Sequence, residues 1–420
     1  MKKNKNTLKA LTIAMLLTSS QFVFADDEAD SSKIINQAES NGFAEDTSLV
    51  LGLRNWYHDR SYNKPSASKD REWTQGIHLK FESGYTQGVV GIGFDAFALE
   101  GAKIKDKNRN DLGAVAYKND GKPKDYWGRA GGAVKARFSS TVLKYGHLMP
   151  ELPVLNYDDG RTIPENFTGF LLTSQEIEGL ELNLGKFSQF TSMNSVKHDD
   201  LELSEALVAG GSYQINENLS TALYFSDIED TFEKKYANVS YEFALSDIDK
   251  IAADFNIYRT DYDKKYKEDV DGDRNTIWST SATYTTGAHS IMLAYQQNSG
   301  DTGYDFGPDG GGTIWLANSV FADYNAHKER SYHVKYGIDF EEFGIKGLNA
   351  HIGYIYGENI NDVSDDKERE TYTGIGYTVT NGYLKDLSIS ISHFEYRTNV
   401  TGESHKRDNR IKIEYPLVLL

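Results

Sequence analysis

The chain has 420 residues, 62 of them acidic and 45 Lys or Arg, for a formal charge of −17. That balance excludes the nucleic-acid-binding classes, and the absence of cysteine excludes disulfides and thiol chemistry. Length alone allows two or three soluble domains, but 27 Tyr and 20 Phe favour one large barrel.

Met1 to Ala25 reads as a secretory signal peptide. Lys2, Lys3, Lys5 and Lys9 form its basic start, Ala10 to Leu17 its apolar core, and Val23 to Ala25 the cleavage region. The apolar run is well short of the ~20 residues a spanning helix needs. Export implies the periplasm, outer membrane or medium of a diderm bacterium, and removal of the four leader lysines takes the charge from −17 to −21. Residues 26–45 are polar and acidic, a short periplasmic lead-in. Residues 46–420 are expected to form a single domain, an all-β transmembrane antiparallel barrel, because no stretch beyond Ala25 approaches the length of an apolar spanning helix.

Alternation carries that expectation along the chain. Ile77, Leu79 and Phe81 oppose His78, Lys80 and Glu82, and Val90, Ile92, Phe94 and Ala96 alternate with glycines and Asp95. In AVKARF, Val134, Ala136 and Phe138 oppose Lys135 and Arg137. A tight polar turn at Ser139 to Thr141 leads to VLKYG, where Leu143 and Tyr145 oppose Lys144. Farther on, Tyr332, Val334, Tyr336 and Ile338 oppose Ser331, His333, Lys335 and Asp339. At the end Ile411, Ile413 and Tyr415 oppose Arg410, Lys412 and Glu414. Helical periodicity is missing, so the apolar faces are expected to meet lipid. About 16 to 20 strands fit the mature length. Short links such as Asn216 to Asn218 suit periplasmic turns, and long polar inserts at 103–124, 262–275, 298–312 and 360–369 suit the outer face.

One irregular segment stands out, LMPELPVLNYDDGRTIPENFT from Leu148 to Thr168, with three of the seven prolines. A loop this long usually has a job, and after a strand pair with cations on one face it suggests a plug beside a pore wall.

These stretches, in order, resemble the OprD family of outer-membrane porins. The resemblance rests on GFAEDTSLVLGLRNWYHDR, REWTQGIHLKFESGYTQGVVGIGFDAFALEG, KARFSSTVLKYGHLMPELPVL, FTGFLLTSQEIEGLELNLGKF, LAYQQNSGDTGYDF, LANSVFADYN, ERSYHVKYGIDF and IEYPLVLL. It implies an 18-stranded barrel that is a channel rather than an enzyme, and a third extracellular loop, about 148–173, folded into the lumen. It also implies a basic row guiding carboxylates through a narrow eyelet, a second shaping loop at about 298–317, and a monomer. Its members pass amino acids or aromatic acids, and some admit carbapenem antibiotics. In DLSISISHFEYR some relatives carry arginines where this chain has Ser390 and Ser392, which is expected to thin the row here.

The candidate basic row is Lys80, Lys135, Arg137, Lys144, Arg410 and Lys412, where fixed cations offset the hydration a carboxylate loses in a narrow pore. Arg54, near a strand end, could instead face a headgroup. In the long loop Tyr157, Asp158, Asp159 and Arg161 could set a transverse field for a zwitterion, or Asp-Asp-Gly could simply form an Asx turn. In the later loop Asp301, Asp305 and Asp309 could attract an amine, though solvated surface acid is the plainer reading. Asp269, Asp271, Gly272 and Asp273 resemble a calcium loop, but the sixth and twelfth positions are Arg274 and Thr280, so no metal site is expected. No cofactor is expected. Neither a G-x-S-x-G elbow nor an H-E-x-x-H motif occurs. The reading is an outer-membrane channel for small carboxylate or zwitterionic solutes, with outer-membrane lipid around it. The alternatives are an outer-membrane hydrolase with a rim site and an adhesive or structural barrel.

Overall fold

The computed structural model describes residues 33–63, 69–105, 112–267 and 272–420. The leader, residues 26–32 of the lead-in, and Asp269 and Asp271 of the calcium-like loop lie outside the described residues.

Eighteen antiparallel strands follow one another around a closed sheet. They are β1 (Ser48–Tyr62), β2 (Asp70–Glu82), β3 (Val90–Lys105), β4 (Tyr126–Phe138), β5 (Thr141–Leu148), β6 (Asn166–Ile177), β7 (Leu180–Thr191), β8 (Ala206–Asn216) and β9 (Leu219–Ile228). The second half comprises β10 (Phe232–Ala244), β11 (Asp249–Tyr262), β12 (Arg274–Thr286), β13 (His289–Gly300), β14 (Arg330–Asp339), β15 (Leu348–Ile360), β16 (Val363–Thr378), β17 (Ser388–Thr398) and β18 (Lys406–Val418). Closure comes from β1 pairing with β18, from Val50 opposite Val418 to Tyr62 opposite Lys406. In a bilayer no water satisfies a sheet edge, so only closure leaves every backbone group paired.

Period-two alternation then sorts the side chains. Leu223 is 65% exposed and Leu293 61%, on the outer wall, while their neighbours Tyr224, Ala222 and Met292 are buried. Such apolar exposure is stable against hydrocarbon rather than water. The inner wall keeps Arg54, His58, Thr74, Lys135, Asn238, Asn256, Gln296 and Glu414 buried.

Because strands alternate in direction, the connections segregate to two ends. One end has the short turns 139–140, 178–179, 217–218 and 287–288, the start of β1 and the end of β18, with Leu49 N–H bonded to the Leu420 carbonyl. By the usual asymmetry of bacterial barrels this is the periplasmic end. The other end carries the segments 112–125, 149–165 and 301–329.

Three expectations are corrected here. The insert expected at 360–369 is a two-residue turn, with Asn361 and Asp362 at φ 53° and 63°. Residues with short polar side chains tolerate the left-handed region that such a hairpin turn requires. The charges that suggested a loop belong to β16 where it rises past the lipid and both faces are polar. The long loop ends at Glu165 rather than Thr173, because β6 begins at Asn166. The shaping loop runs on to Glu329 rather than stopping at Ala317. Strand β4 also starts seven residues before AVKARF, where glycines hide the alternation; a Cβ at Gly101 on β3 would lie 2.3 Å from the Trp127 ring that covers it.

The apolar core lies inside the barrel. Leu152, Val154 and Leu155 of 149–165 and Tyr304 and Leu316 of 301–329 pack on Phe167, Phe187, Tyr224, Tyr236, Tyr258 and Ile277. A second cluster joins Val115 and Ala116 to Leu99, Trp127 and Ile163. The far half of 301–329 packs Phe321 and Tyr324 on Ile355, Tyr372 and Phe394. The two long loops therefore pack mainly along β6 to β17, and Ile163 carries the first across the lumen to Leu99 on β3 and Trp127 on β4.

Candidate functional site

Strand register sets the basic side chains at successive depths. His58 on β1 pairs with Arg410 on β18, Trp56 with Lys412, and Arg54 with Glu414. Lys80 lies four residues toward the periplasmic end of β2 from Gly76, the partner of Arg54. Gly93 and Gly91 on β3 face Lys135 and Arg137 on β4, and Lys135 faces Lys144 on β5. The row thus descends from the outer half of β18 and β1 to the periplasmic end of β4.

Most of these cations share an acid. Asp95 sits 2.5 Å from Lys135 and 2.8 Å from Lys144. Arg410 and Arg60 both bond Asp408, at 2.8 and 2.6 Å, and His58 adds a third contact at 2.7 Å. Lys412 is 2.8 Å from Glu414. Lys80 makes no ion pair among the described residues. Aromatic faces back the row: Arg410 lies over Phe394 and Phe321, Arg60 over Phe321, and Lys135 and Arg137 over Tyr85. At the periplasmic end Arg137 Nε donates to Gln37 Oε1 at 2.9 Å. Gln37 belongs to the lead-in and fills the space over Gly91, where a Cβ would lie 2.3 Å from its amide oxygen.

Arg54 is not at a headgroup. It is 2% exposed, inside the barrel, and grips Asp159 with both terminal nitrogens at 2.6 and 2.8 Å. Its Nε donates to Glu414 at 2.6 Å and its Nη1 to the Arg161 carbonyl at 2.7 Å. One arginine thereby ties loop 149–165 to β1 and β18. Thr162 adds a tie to β2, through Thr74 at 2.6 Å and His78 at 2.8 Å. Burial would push the Asp159 carboxyl up, but the Arg54 guanidinium outweighs it and holds the group at about 2. A fifth of that side chain, 21%, still meets lumen solvent.

The adjacent acids divide the two roles open to them. Asp158 Oδ1 accepts from Gly160 N at 2.6 Å, closing an Asx turn, and Asp159 takes the arginine. Arg161 donates to the Leu112 carbonyl at 2.8 Å and lies over Trp56. Burial among Arg410 and Arg60 draws its pKa down to about 10, so it stays charged at neutral pH. Tyr157 is half-buried against the apolar core. In the later loop Asp301 is exposed and Asp305 is 3.3 Å from Lys267. Asp309 is not a surface acid: it is fully buried and ion-paired with the equally buried Lys234 of β10. A lysine in the wall gave no sign in the sequence of which loop acid would meet it.

The model of the family described as "outer membrane porin, OprD family" matches residues 41–419. The chain belongs to the OprD family of outer-membrane porins. It is 38% identical to Porin D of Pseudomonas aeruginosa, over 98% of each chain, and 32% identical to the porin-like protein GalP of Pseudomonas putida, over 91% and 95%. Among solved structures it is similar to Acinetobacter baumannii OccAB1, with a TM-score of 0.87 and 35% identity over 91% of this chain and 99% of that one. It is also similar to Pseudomonas aeruginosa OpdK solved with vanillate, with a TM-score of 0.80 and 30% identity over 90% and 100%. The family places the chain in the bacterial outer membrane, and its members are channels rather than enzymes.

In this OprD-family barrel several contributors were missed from sequence. Segment 112–125 was read as an outer insert, yet Leu112, Ala114, Val115 and Ala116 are buried and Ala114 N donates to Glu72 at 2.8 Å. The apolar run LGAVA inside a polar insert was the available signal. Tyr258 holds both loops: its hydroxyl donates to the Pro153 carbonyl at 3.0 Å and accepts from Trp315 N at 3.1 Å. Tyr258→Phe should cost about 1–3 kcal/mol, the usual effect of leaving buried polar groups unpaired. Faster hydrogen exchange at Trp315 N–H, with the barrel amides unchanged, is the expected signature.

Glu165 clasps the same two loops, its Oε2 accepting from Asp158 N and Gly311 N at 2.9 Å each. Burial, reinforced by the Asp158 charge, pushes its carboxyl up from 4.5 to about 8. The folded protein holds this proton more tightly than the unfolded chain does. Its contribution is therefore complete below about pH 4.5 and is lost as pH rises toward 8. The unfolding midpoint should fall between pH 5 and pH 8.5, and Glu165→Gln should flatten that dependence.

Proposed function

We propose that the protein is a passive, substrate-selective channel for small carboxylate-bearing solutes, and that the solute moves along the basic wall between β18 and β5. The carrying observation is the descending row of Arg60, Arg410, Lys412, Lys80, Lys144, Lys135 and Arg137, opposite loops 149–165 and 301–329. A carboxylate entering a narrow passage loses water contacts, and guanidinium or ammonium groups replace them. Since Arg60, Arg410, Lys412, Lys135 and Lys144 already have an acid beside them, these sites are shallow, and a solute can leave them as readily as it arrives.

The upper part of the row favours a carboxylate with an unsaturated or aromatic body. Arg60, Arg161 and Arg410 gather near Phe321, Phe394 and Trp56, three cations with one carboxylate, Asp408, between two of them. Vanillate, present in the OpdK structure, is such an aromatic carboxylate. Amino acids and carbapenems fit the same chemistry through their carboxyl groups. Ser390 and Ser392 on β17 pair with Lys412 and Arg410 on β18, so this stretch of the row has hydroxyls where extra arginines would crowd it. Asp159, tied to Arg54, supplies little field for a substrate amine.

Planar-bilayer recording with the double variant Lys135→Gln, Arg137→Gln tests this reading. Anion preference from reversal potentials should fall roughly tenfold at low ionic strength and by less at high salt. Swelling of liposomes in benzoate should slow in parallel. An unchanged reversal potential removes these two residues from the path.

A further inference from the structure

The outer wall carries a charge cluster that transport does not use. Arg369 on β16 and Arg397 on β17 are direct cross-strand partners, and Arg407 on β18 faces Glu395 on β17. All three side chains point outward, since Glu370, Tyr396 and Asp408 beside them are buried within. Arg397 and Arg407 are 48% and 66% exposed and converge on one oxygen of Glu395, at 2.7 and 3.3 Å. Arg369 is exposed and makes no ion pair among the described residues. Lys367, two residues farther out on the same face, is exposed as well and stands opposite Glu358.

Like charges directly opposite each other on a sheet are destabilising unless an anion lies between them. Elsewhere on the rim this chain supplies that anion itself. A third of the way around, Lys235, Arg259 and Arg274 surround Asp261 at 3.6, 3.9 and 3.2 Å, and Glu233 adds a second acid. On β16 to β18 Glu395 pairs with two of the three arginines, and Arg369 has no ion pair among the described residues. The cluster is in register with Tyr356 on β15 and lies beyond the apolar row of Ile375, Ile391 and Ile411, which places it where hydrocarbon gives way to headgroups.

We infer that Arg369, Arg397 and Arg407 form a binding site for the phosphate of an anionic lipid headgroup in the outer leaflet. Arginine forks bind phosphate oxygens in pairs, and such a ligand would complete the charge balance that Glu395 leaves short. The lipid would brace β16 to β18 from outside without touching the solute path.

The test uses the intact barrel in phosphatidylcholine nanodiscs doped with bisphosphorylated lipid A, and bound lipid is counted by native mass spectrometry. The wild type should retain lipid A, and R369Q/R397Q/R407Q should lose affinity by about fivefold per cation removed. Single-channel conductance should be the same for both, which certifies folding and separates this site from the channel reading. Should the triple variant fail to assemble, Arg369→Gln alone, which breaks no ion pair, reads the same quantity. Equal retention by wild type and variant overturns the inference, and so does equal binding of lipid A stripped of its phosphates.

Discussion

Arg54→Gln is expected to raise the unitary conductance severalfold and to make the open current noisy. The arginine is the one group that binds Asp159, Glu414 and the Arg161 carbonyl at once, and it is almost wholly buried. Removing it leaves Asp159 with no paired cation and Glu414 with Lys412 alone. Breaking a buried ion pair from one side costs about 3–5 kcal/mol, because the remaining charge is stranded rather than returned to water. Loop 149–165 can avoid that cost by lifting Asp159 away from the wall, which widens the passage. Acid offers the other escape, since stranded carboxylates take up protons. The conductance of the variant should therefore fall back toward the wild-type value as the bath is taken from pH 7 to pH 4. A variant with wild-type conductance at both pH values would show that Thr162, through Thr74 and His78, is enough to hold the loop.

The second large effect belongs to the pair between Lys234 and Asp309. Both are fully buried, Lys234 also donates to the Tyr304 hydroxyl at 2.9 Å, and its ammonium lies over the rings of Phe232 and Tyr304. Lys234→Met or Asp309→Asn should each lower stability by about 3–5 kcal/mol. The double replacement Lys234→Met, Asp309→Leu should recover most of that loss, because apolar residues of similar volume suit the surrounding core of Tyr258, Tyr304 and Phe232. The measurement is the urea midpoint in detergent for the set of variants. If the double variant is as unstable as the singles, packing at these positions, rather than uncompensated charge, sets the cost.

Much of the wall was legible because a lipid-facing strand obeys two constraints at once. Ile411, Ile413 and Tyr415 had to face hydrocarbon, so Arg410, Lys412 and Glu414 had to face inward, and period two assigns both from a short stretch. The pattern weakens where only one constraint remains. Where β16 leaves the hydrocarbon both of its faces carry polar residues, so VSDDKERE looked like a loop. At the start of β4 the glycines of YWGRAGG make way for other side chains instead of marking a face. The site was less legible than the wall, for a different reason. Asp309 and Lys234 are 75 residues apart, and Arg54 and Glu414 are 360 apart. No local pattern says which distant partner a loop acid will meet. The resemblance to porins told where loops fold in, but whether Asp158 or Asp159 would take a cation depended on a single Asx turn.

The arrangement around Asp95 bears on how a solute gets out. Two ammoniums, Lys135 and Lys144, hold one carboxylate between them. When a visiting carboxylate binds one of them, Asp95 keeps the other, so no charge is ever left bare during the swap. When the visitor departs, the displaced side chain swings back and reclaims its old neighbour. On the proposed path the protein would thus carry its own competitor at this rung. Eviction would be built into the wall, and throughput need not be sacrificed to gain preference.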